Sequence, residues 1–391
     1  MNQKNKICNI SVVESTESPV QWKVGWGYTG KCNMACPFCY SKSTRENPFA
    51  SKQTLVQSLD FVRENSGSIE SINWGTGENA LDEEWWELIT TIHDVAPHIL
   101  QGVTTNGYLG EVCKESVSHK NIFLHCVDDI DVSLDFAQRD HHNNMRGNSK
   151  AYGWVMETLS LCNENNKPCS VVMLGCEETL SIPNIDRLFY FASEHACSVR
   201  INVLRPTRGV RMHPPSYHTV KDALIHMVQN YGVVSLADPL FAGLFGQEAK
   251  DASGISSLRI LPDGKITPST YLIESPWIAC HIADSGVLRL DQLSHMSPFT
   301  NIADDQFPEA CENCPIVERC RGGAKDRRIL WYGTLFERDP YCPTRYGEES
   351  KWGTIESICM VTPEGPFIHD GYLPTVIFHP AKKNAGKKEE L

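Results

Sequence analysis

Between residues 21 and 205, short runs of β-branched and aromatic residues alternate with longer stretches whose apolar residues recur every three to four positions. The first kind reads as buried strands of a parallel sheet, the second as the helices that cross between them. Strands are expected at Val24 to Gly27, Ser71 to Trp74, Leu100 to Thr104, Ile130 to Leu134, Ser170 to Leu174 and Val199 to Leu204. One helix between them places Leu55, Val56, Leu59 and Val62 on a common face, a second starts at Asp82 as N-cap, and others lie around 150–163 and 184–195. Six βα units in series predict an α/β fold: a parallel sheet with right-handed crossovers, curved into a partial (β/α)6 barrel. In such sheets reactive groups sit on loops at the carboxyl ends of the strands.

The loop after the first strand carries Cys32, Cys36 and Cys39, spaced CxxxCxxC. Three thiolates at these spacings can hold three irons of a [4Fe–4S] cube and leave the fourth iron open. A structural zinc site normally closes with four ligands in two pairs, which this run fits poorly. Far downstream, Cys311, Cys314 and Cys320 form CxxCxxxxxC, and Cys342 follows 22 residues later. Four thiolates can close a second cube completely; a four-cysteine zinc site is the bland alternative. The nine other cysteines, at 8, 113, 126, 162, 169, 176, 197, 280 and 359, read as small buried hydrophobes. Cys280 and Cys359 are also candidates for donating a hydrogen atom to a substrate radical. His141 and His142, on a polar stretch, read as solvated.

Composition narrows the class. A chain of 391 residues implies more than one domain. We expect an N-terminal extension at 1–20, the partial barrel at 21–230, a bridging region and cysteine-rich domain at 231–350, and a C-terminal extension at 351–391 that ends in a disordered Lys-rich tail. The formal net charge of −12 argues against a nucleic-acid partner. Apolar runs of 18 or more are absent, so no membrane span is expected, and the first twenty residues lack an apolar signal core. Sixteen cysteines without such a signal point to reduced thiols and metal ligands in the cytoplasm.

The cysteine loop resembles the signature of the radical SAM enzymes, which share a TIM-like (β/α)6 partial barrel. The resemblance implies that the open iron chelates S-adenosylmethionine (SAM) and that one electron releases a 5′-deoxyadenosyl radical, which abstracts hydrogen from the substrate. Other loops resemble the family in order. Gly75-Thr76-Gly77-Glu78-Asn79 resembles its GGEP motif, with Thr76 and Asn79 replacing Gly and Pro; Thr105-Asn106-Gly107 and Ser133-Leu134-Asp135 resemble its TNG and SLD runs. Arg146-Gly147 resembles its RG, where a guanidinium pairs with the methionine carboxylate. The resemblance thus implies that Phe38, Gly75, Thr76, Gly77, Glu78, Asn106, Ser133, Asp135 and Arg146 lie at the cofactor.

The run Cys311 to Gly323, with Cys342, resembles the SPASM domain of peptide-modifying radical SAM enzymes, which usually holds two auxiliary clusters. Here Ser269 and Ala324 stand where that pattern has cysteines, and no cysteine lies between Cys197 and Cys280. All these losses fall on one auxiliary cluster, so two [4Fe–4S] clusters are expected in total. Thr270 stands where sulfatase-maturating relatives carry a catalytic Asp. The resemblance implies a maturase of a ribosomally made precursor peptide, by crosslinking, epimerisation or excision such as tyramine splicing, with precursors bearing Nif-type leaders a plausible class. It further implies a separate leader-binding protein and an electron donor such as flavodoxin or ferredoxin. The rival is a radical SAM dehydratase, dehydrogenase or decarboxylase of a small-molecule sugar. A non-catalytic zinc or Fe–S scaffold is the third reading.

Overall fold

The structure, a computed structural model, describes residues 20–42, 52–284, 288–303, 307–362 and 365–382. Six parallel strands form its centre: β1 (Trp22–Trp26), β2 (Ile69–Trp74), β3 (Leu100–Thr105), β4 (Asp129–Ser133), β5 (Cys169–Gly175) and β6 (Ser198–Val203). Each lies within one or two residues of its expected position. Their side chains are almost all buried, which is why they read as near-continuous apolar runs and not as alternating ones.

Helices α1 (Lys52–Asn65), α2 (Glu83–Val95), α3 (Tyr108–Glu115), α4 (Val117–Cys126), α5 (Arg139–Arg146), α6 (Ala151–Glu164) and α7 (Ile182–Glu194) fill the crossovers. Asp82 caps α2 as expected, accepting the Glu84 N–H at 3.3 Å. On α1 the expected apolar face is rotated: Leu55, Phe61 and Val62 are buried, while Val56 is exposed. The core around the ends of β1 and β2 is rich in tryptophan. Trp26 and Trp74 stack at 5.3 Å, and Trp74 and Trp85 meet edge to face at 6.5 Å.

The sheet is wider than the six-unit pattern. After α8 (Tyr217–Asn230), strands β7 (Tyr231–Leu236), β8 (Ser257–Ile260), β9 (Lys265–Thr267), β10 (Cys280–His281) and β11 (Val376–Lys382) extend it to eleven, in the order β10-β9-β8-β1-β2-β3-β4-β5-β6-β11-β7. A boundary at 230 therefore runs through one continuous sheet. Strand β8 pairs parallel to β1, and β11 inserts antiparallel between β6 and β7. The C-terminal extension is thus no appendage up to residue 382. It returns to the sheet, and Tyr372 enters the concave side, where its hydroxyl takes the space a Cβ on Gly25 would need (1.4 Å away). The N-terminal extension as far as residue 19, with Cys8, and the Lys-rich tail from 383 lie outside the described residues.

Candidate active site

The concave face of the sheet encloses a cavity of about 1220 Å³, open mouth included. Side chains from β2, β3, β4, β5, β6 and β8 line it, so the sheet curves around a common centre, as the βα pattern requires. The cysteine loop covers one end. Cys32, Cys36 and Cys39 are all half-buried on the cavity wall. Asn106 Nδ2 lies 3.8 Å from the Cys32 sulfur and 2.7 Å from Asn33 Oδ1. The Cys36 thiol faces the Arg146 carbonyl at 3.8 Å, and Cys39 Sγ faces Ser41 Oγ at 3.4 Å. Burial pushes the Cys36 thiol up, against the pull of nearby Arg146, so loading a metal there would release a proton.

The Gly75–Asn79 loop is clamped against the cysteine loop. Glu78 N–H donates to the Lys31 carbonyl at 2.8 Å, and a Cβ on Gly77 (φ 67°) would stand 2.4 Å from that same oxygen. Only glycine fits there. Thr76 also has a positive φ of 75°, where a β-branched residue is a genuine outlier costing about 1–3 kcal/mol. Its hydroxyl contacts Arg259 Nη2 and lies 3.4 Å from the Tyr40 hydroxyl.

Of the expected cofactor residues, Phe38, Gly75, Thr76, Gly77, Asn106, Ser133 and Arg146 line the cavity with the three cysteines. Glu78 and Asp135 do not; they stand behind the wall and brace it. Glu78 accepts from Thr105 Oγ1 at 2.9 Å and from Asn106 N–H at 2.8 Å, and burial raises its pKa to about 7. Asp135 accepts from Arg146 Nε at 2.6 Å and from Leu174 N–H at 3.0 Å. Arg146, thus neutralised, lies 5.0 Å over the Phe38 ring.

His142 is not solvated, as the polar sequence around it suggested. It lies on α5, fully buried, with Nδ1 accepting the Asp135 N–H at 3.2 Å, while His141 is exposed. Burial lowers its pKa from 6.5 to about 4. The folded state therefore binds fewer protons here than the unfolded chain, and this site's contribution falls as pH drops below 6.5. Glu78 acts in the opposite sense below pH 7, so parent and variant must be compared. Relative to His142→Asn, the parent should lose about 2 kcal/mol between pH 6.5 and 5, measured by urea unfolding at each pH. A parent–variant difference that is flat with pH would show that His142 takes up its proton in the fold as readily as in the unfolded chain.

Thr270 apart, the cavity's other wall was not legible in the sequence. Arg200 pairs with Asp131 at 2.6 Å, and His369 also faces Asp131, with its Nε2 3.0 Å from Thr104 Oγ1. Arg259, Thr270, Tyr271, His369, Tyr372 and Leu373 complete the lining. Strand positions pointing inward could have been read as polar interruptions in β4, β6 and β8, but the C-terminal residues carried no motif. Cys280 and Cys359, the thiols considered as hydrogen-atom donors, do not line the cavity; the first is half-buried and the second exposed. Cys113, Cys126, Cys162, Cys169, Cys176 and Cys197 are buried, as expected of small hydrophobes.

A second cysteine group sits beyond the sheet. Cys311, Cys320 and Cys342 are buried and Cys314 half-buried. Burial raises the Cys320 thiol to about 12, and Cys314, Cys311 and Cys342 are near enough to push it the same way. Cys314 Sγ lies 3.4 Å from Ser350 Oγ and Cys342 Sγ 3.2 Å from Thr344 Oγ1. Among the described residues no three His, Cys, Asp or Glu side chains converge on a point that one metal ion could occupy. A cube, whose ligands bind separate irons, does not require that convergence.

Residues 26–188 match the family profile described as Radical SAM superfamily. Those residues are a radical SAM domain. The curated relatives include the mycofactocin maturase MftC of Mycolicibacterium smegmatis, 24% identical over 338 residues covering 82% of each chain. The protein of the same name from Mycobacterium ulcerans is 26% identical over 340 residues, covering 82% of this chain and 88% of the relative. Among solved structures, native anSMEcpe with bound AdoMet and Kp18Cys peptide superposes with a TM-score of 0.65 at 14% identity, over 84% of this chain and 95% of that one. Streptococcus suis SuiB bound to precursor peptide SuiA superposes with a TM-score of 0.60 at 15% identity, over 83% and 76%. These likenesses show the fold. The radical SAM domain spans β1 to β5 and so contains the cysteine loop and the motif loops after β2, β3 and β4. The chain is a radical SAM enzyme of mixed α/β fold, and the family uses SAM and a [4Fe–4S] cluster. No helix among the described residues is long and apolar enough to cross a membrane.

Proposed function

We propose that this radical SAM enzyme matures a ribosomally synthesised precursor peptide. The observation that carries the reading is the cavity: three cysteines of a CxxxCxxC loop and the ordered motif loops share one wall of it, and its mouth is open. The curated relatives are named as maturases, and SuiB and anSMEcpe were solved with peptides bound, which supports a peptide substrate. We assign Cys32, Cys36 and Cys39 to the SAM-binding cluster. When bound, that cluster and SAM supply a 5′-deoxyadenosyl radical for hydrogen abstraction. The chain itself does the positioning. The backbone at Gly75, Thr76 and Gly77 would hold the methionine end, with Asn106 beside it and Ser133 toward the ribose, and Arg146 is held in place by Asp135. Phe38, Tyr40, Tyr271 and Leu373 give the cavity apolar walls that keep water from the reacting centre.

Cys311, Cys314, Cys320 and Cys342 are assigned to one auxiliary [4Fe–4S] cluster of a SPASM-like domain within 231–350. With four protein thiolates it has no iron free for substrate, so it serves folding or electron transfer. A separate leader-binding protein and a flavodoxin or ferredoxin donor complete the cytoplasmic system.

The test is anaerobic incubation of the reconstituted enzyme with SAM, reductant and candidate precursor peptides, followed by intact mass. A peptide loss of about 2 Da indicates crosslinking or oxidation, and a larger loss indicates excision. Epimerisation leaves the mass unchanged and is read by hydrolysis and chiral analysis. Turnover of an aminoglycoside or nucleoside sugar with every peptide untouched would favour the small-molecule reading.

A further inference from the structure

Four arginines line the cavity, and three are neutralised in place. Arg146 is paired with Asp135 at 2.6 Å, Arg200 with Asp131 at 2.6 Å and Arg205 with Asp326 at 2.8 Å. The fourth, Arg259 on β8, is as deeply buried, with 2% of its surface exposed. Among the described residues no carboxylate pairs with it. Its Nη1 reaches the Tyr372 hydroxyl at 3.5 Å, and its Nη2 reaches the Tyr40 hydroxyl at 3.4 Å and the Thr76 hydroxyl. Its Nε has no partner. These partners are neutral, and the two tyrosine contacts are at the outer limit of a hydrogen bond.

A guanidinium does not shed its proton, so the cavity keeps a fixed positive charge that the fold leaves uncompensated. A buried charge of this kind is strongly disfavoured unless a counter-charge arrives. The planar fork of Arg suits a carboxylate, which it can grip through two parallel bonds. We propose that Arg259 is the receptor for a carboxylate of the substrate, gripped inside the cavity between Tyr40 and Tyr372. The proposal rests on the peptide-maturase reading for its substrate class.

Arg146 is the guanidinium that belongs to the motif loops, and two observations set Arg259 apart from it. Arg259 stands opposite Gly25 in the β1–β8 register, below the strand ends from which the motif loops spring. Tyr372, bonded to Thr270 at 2.6 Å, reaches Arg259 from the C-terminal half of the chain, whereas Tyr40 and Thr76 reach it from the cysteine loop and the Gly75–Asn79 loop. The same contact accounts for a departure noted in the sequence. Thr76 keeps a left-handed backbone where glycine is usual, and what the side chain adds is a hydroxyl that holds Arg259 in position.

Isothermal titration of the SAM-loaded, anaerobically reconstituted enzyme with three probes tests this. N-acetyl-phenylalanine carries a terminal carboxylate, its amide carries none, and the α-amide of N-acetyl-glutamate carries only a side-chain carboxylate. The parent should bind at least one acid about tenfold or more tightly than the amide. Whichever acid is preferred tells a peptide C-terminus from an acidic side chain. Arg259→Met should erase the preference and Arg259→Lys should keep part of it, because the charge survives without the fork. SAM affinity, expected within about twofold of the parent, reports that the variants are folded. Equal affinity of the parent for acids and amide overturns the proposal, and this comparison needs no variant. Retention of the preference in Arg259→Met overturns it too, as does a fall in SAM affinity with the preference intact, which would give the guanidinium to the SAM carboxylate. None of these readouts uses turnover, so failure of the maturase reading appears separately, as absence of modified peptide.

Discussion

Replacing Cys32, Cys36 and Cys39 together by alanine should abolish reductive cleavage of SAM and remove about half of the roughly eight irons expected in the reconstituted parent. Three thiolates are the minimum that holds a cube with one iron open, and the polar side chains beside the loop's sulfurs do not replace them. Asn106 and Ser41, the polar side chains beside Cys32 and Cys39, are hard donors or neutral hydroxyls poorly matched to iron–sulfur chemistry. The remaining iron should stay on Cys311, Cys314, Cys320 and Cys342, which lie beyond the sheet. Iron analysis with 5′-deoxyadenosine quantified by chromatography measures both effects. A triple variant that still forms 5′-deoxyadenosine would end the radical SAM account. Twelve irons in the parent would show that Ser269 or other residues replace the missing cysteines of a second auxiliary cluster.

Asp339→Ala should destabilise the cysteine-rich region by about 3–5 kcal/mol, because it breaks a buried charge network without removing its cation. Arg327 is fully buried between two aspartates. Its Nη1 reaches Asp238 at 2.6 Å, and its Nε reaches both Asp339 oxygens at 3.0 and 2.8 Å. Asp339 also accepts the backbone N–H groups of Ala324 at 3.1 Å and Tyr341 at 2.9 Å. It therefore ties the chain just after Cys320 to the chain just before Cys342, and sets the spacing of those two ligands. Its loss should lower the auxiliary iron as well as the unfolding midpoint. Cys342→Ala is the comparison, since it removes a ligand and leaves the network intact. If Cys342→Ala folds normally and cleaves SAM yet makes no product, the cluster passes electrons and is not mainly structural. Full product formation at the parent rate would refute both roles. An Asp339→Ala protein as stable as the parent would mean that Asp238 alone compensates Arg327.

The parallel core was legible because its strands are almost wholly buried and crossover helices such as α2 and α7 carry an apolar stripe. The cysteine loop was legible because its three cysteines fall within eight residues of sequence. What escaped had a common cause. Tyr372, His369 and Leu373 reach the cavity from a stretch more than 100 residues beyond Arg259, and nothing in local periodicity announces that a chain will thread the concave side of its own sheet. Strand β11 was hidden for the same reason: it lies in a segment rich in proline and turn residues and pairs with β6, some 175 residues earlier. Val56 was misplaced by the usual rotational error of an amphipathic reading. Polarity misled at His142, where the stretch Arg139–Arg146 is hydrophilic overall yet turns one histidine and Arg146 inward to meet Asp135. Glu78 and Asp135 were recognised as motif residues, but only the structure shows that their carboxylates are spent on holding Asn106 and Arg146.

In the proposed reaction hydrogen is taken from a peptide by a radical made from SAM. The most direct measurement is isotope transfer. The holoenzyme would be incubated anaerobically with SAM, reductant and a precursor peptide deuterated at its carbon-bound positions, and the 5′-deoxyadenosine analysed by mass spectrometry. Deuterium should appear in 5′-deoxyadenosine, and only when the peptide is deuterated. 5′-Deoxyadenosine formed without deuterium, while that peptide is converted to product, would contradict it.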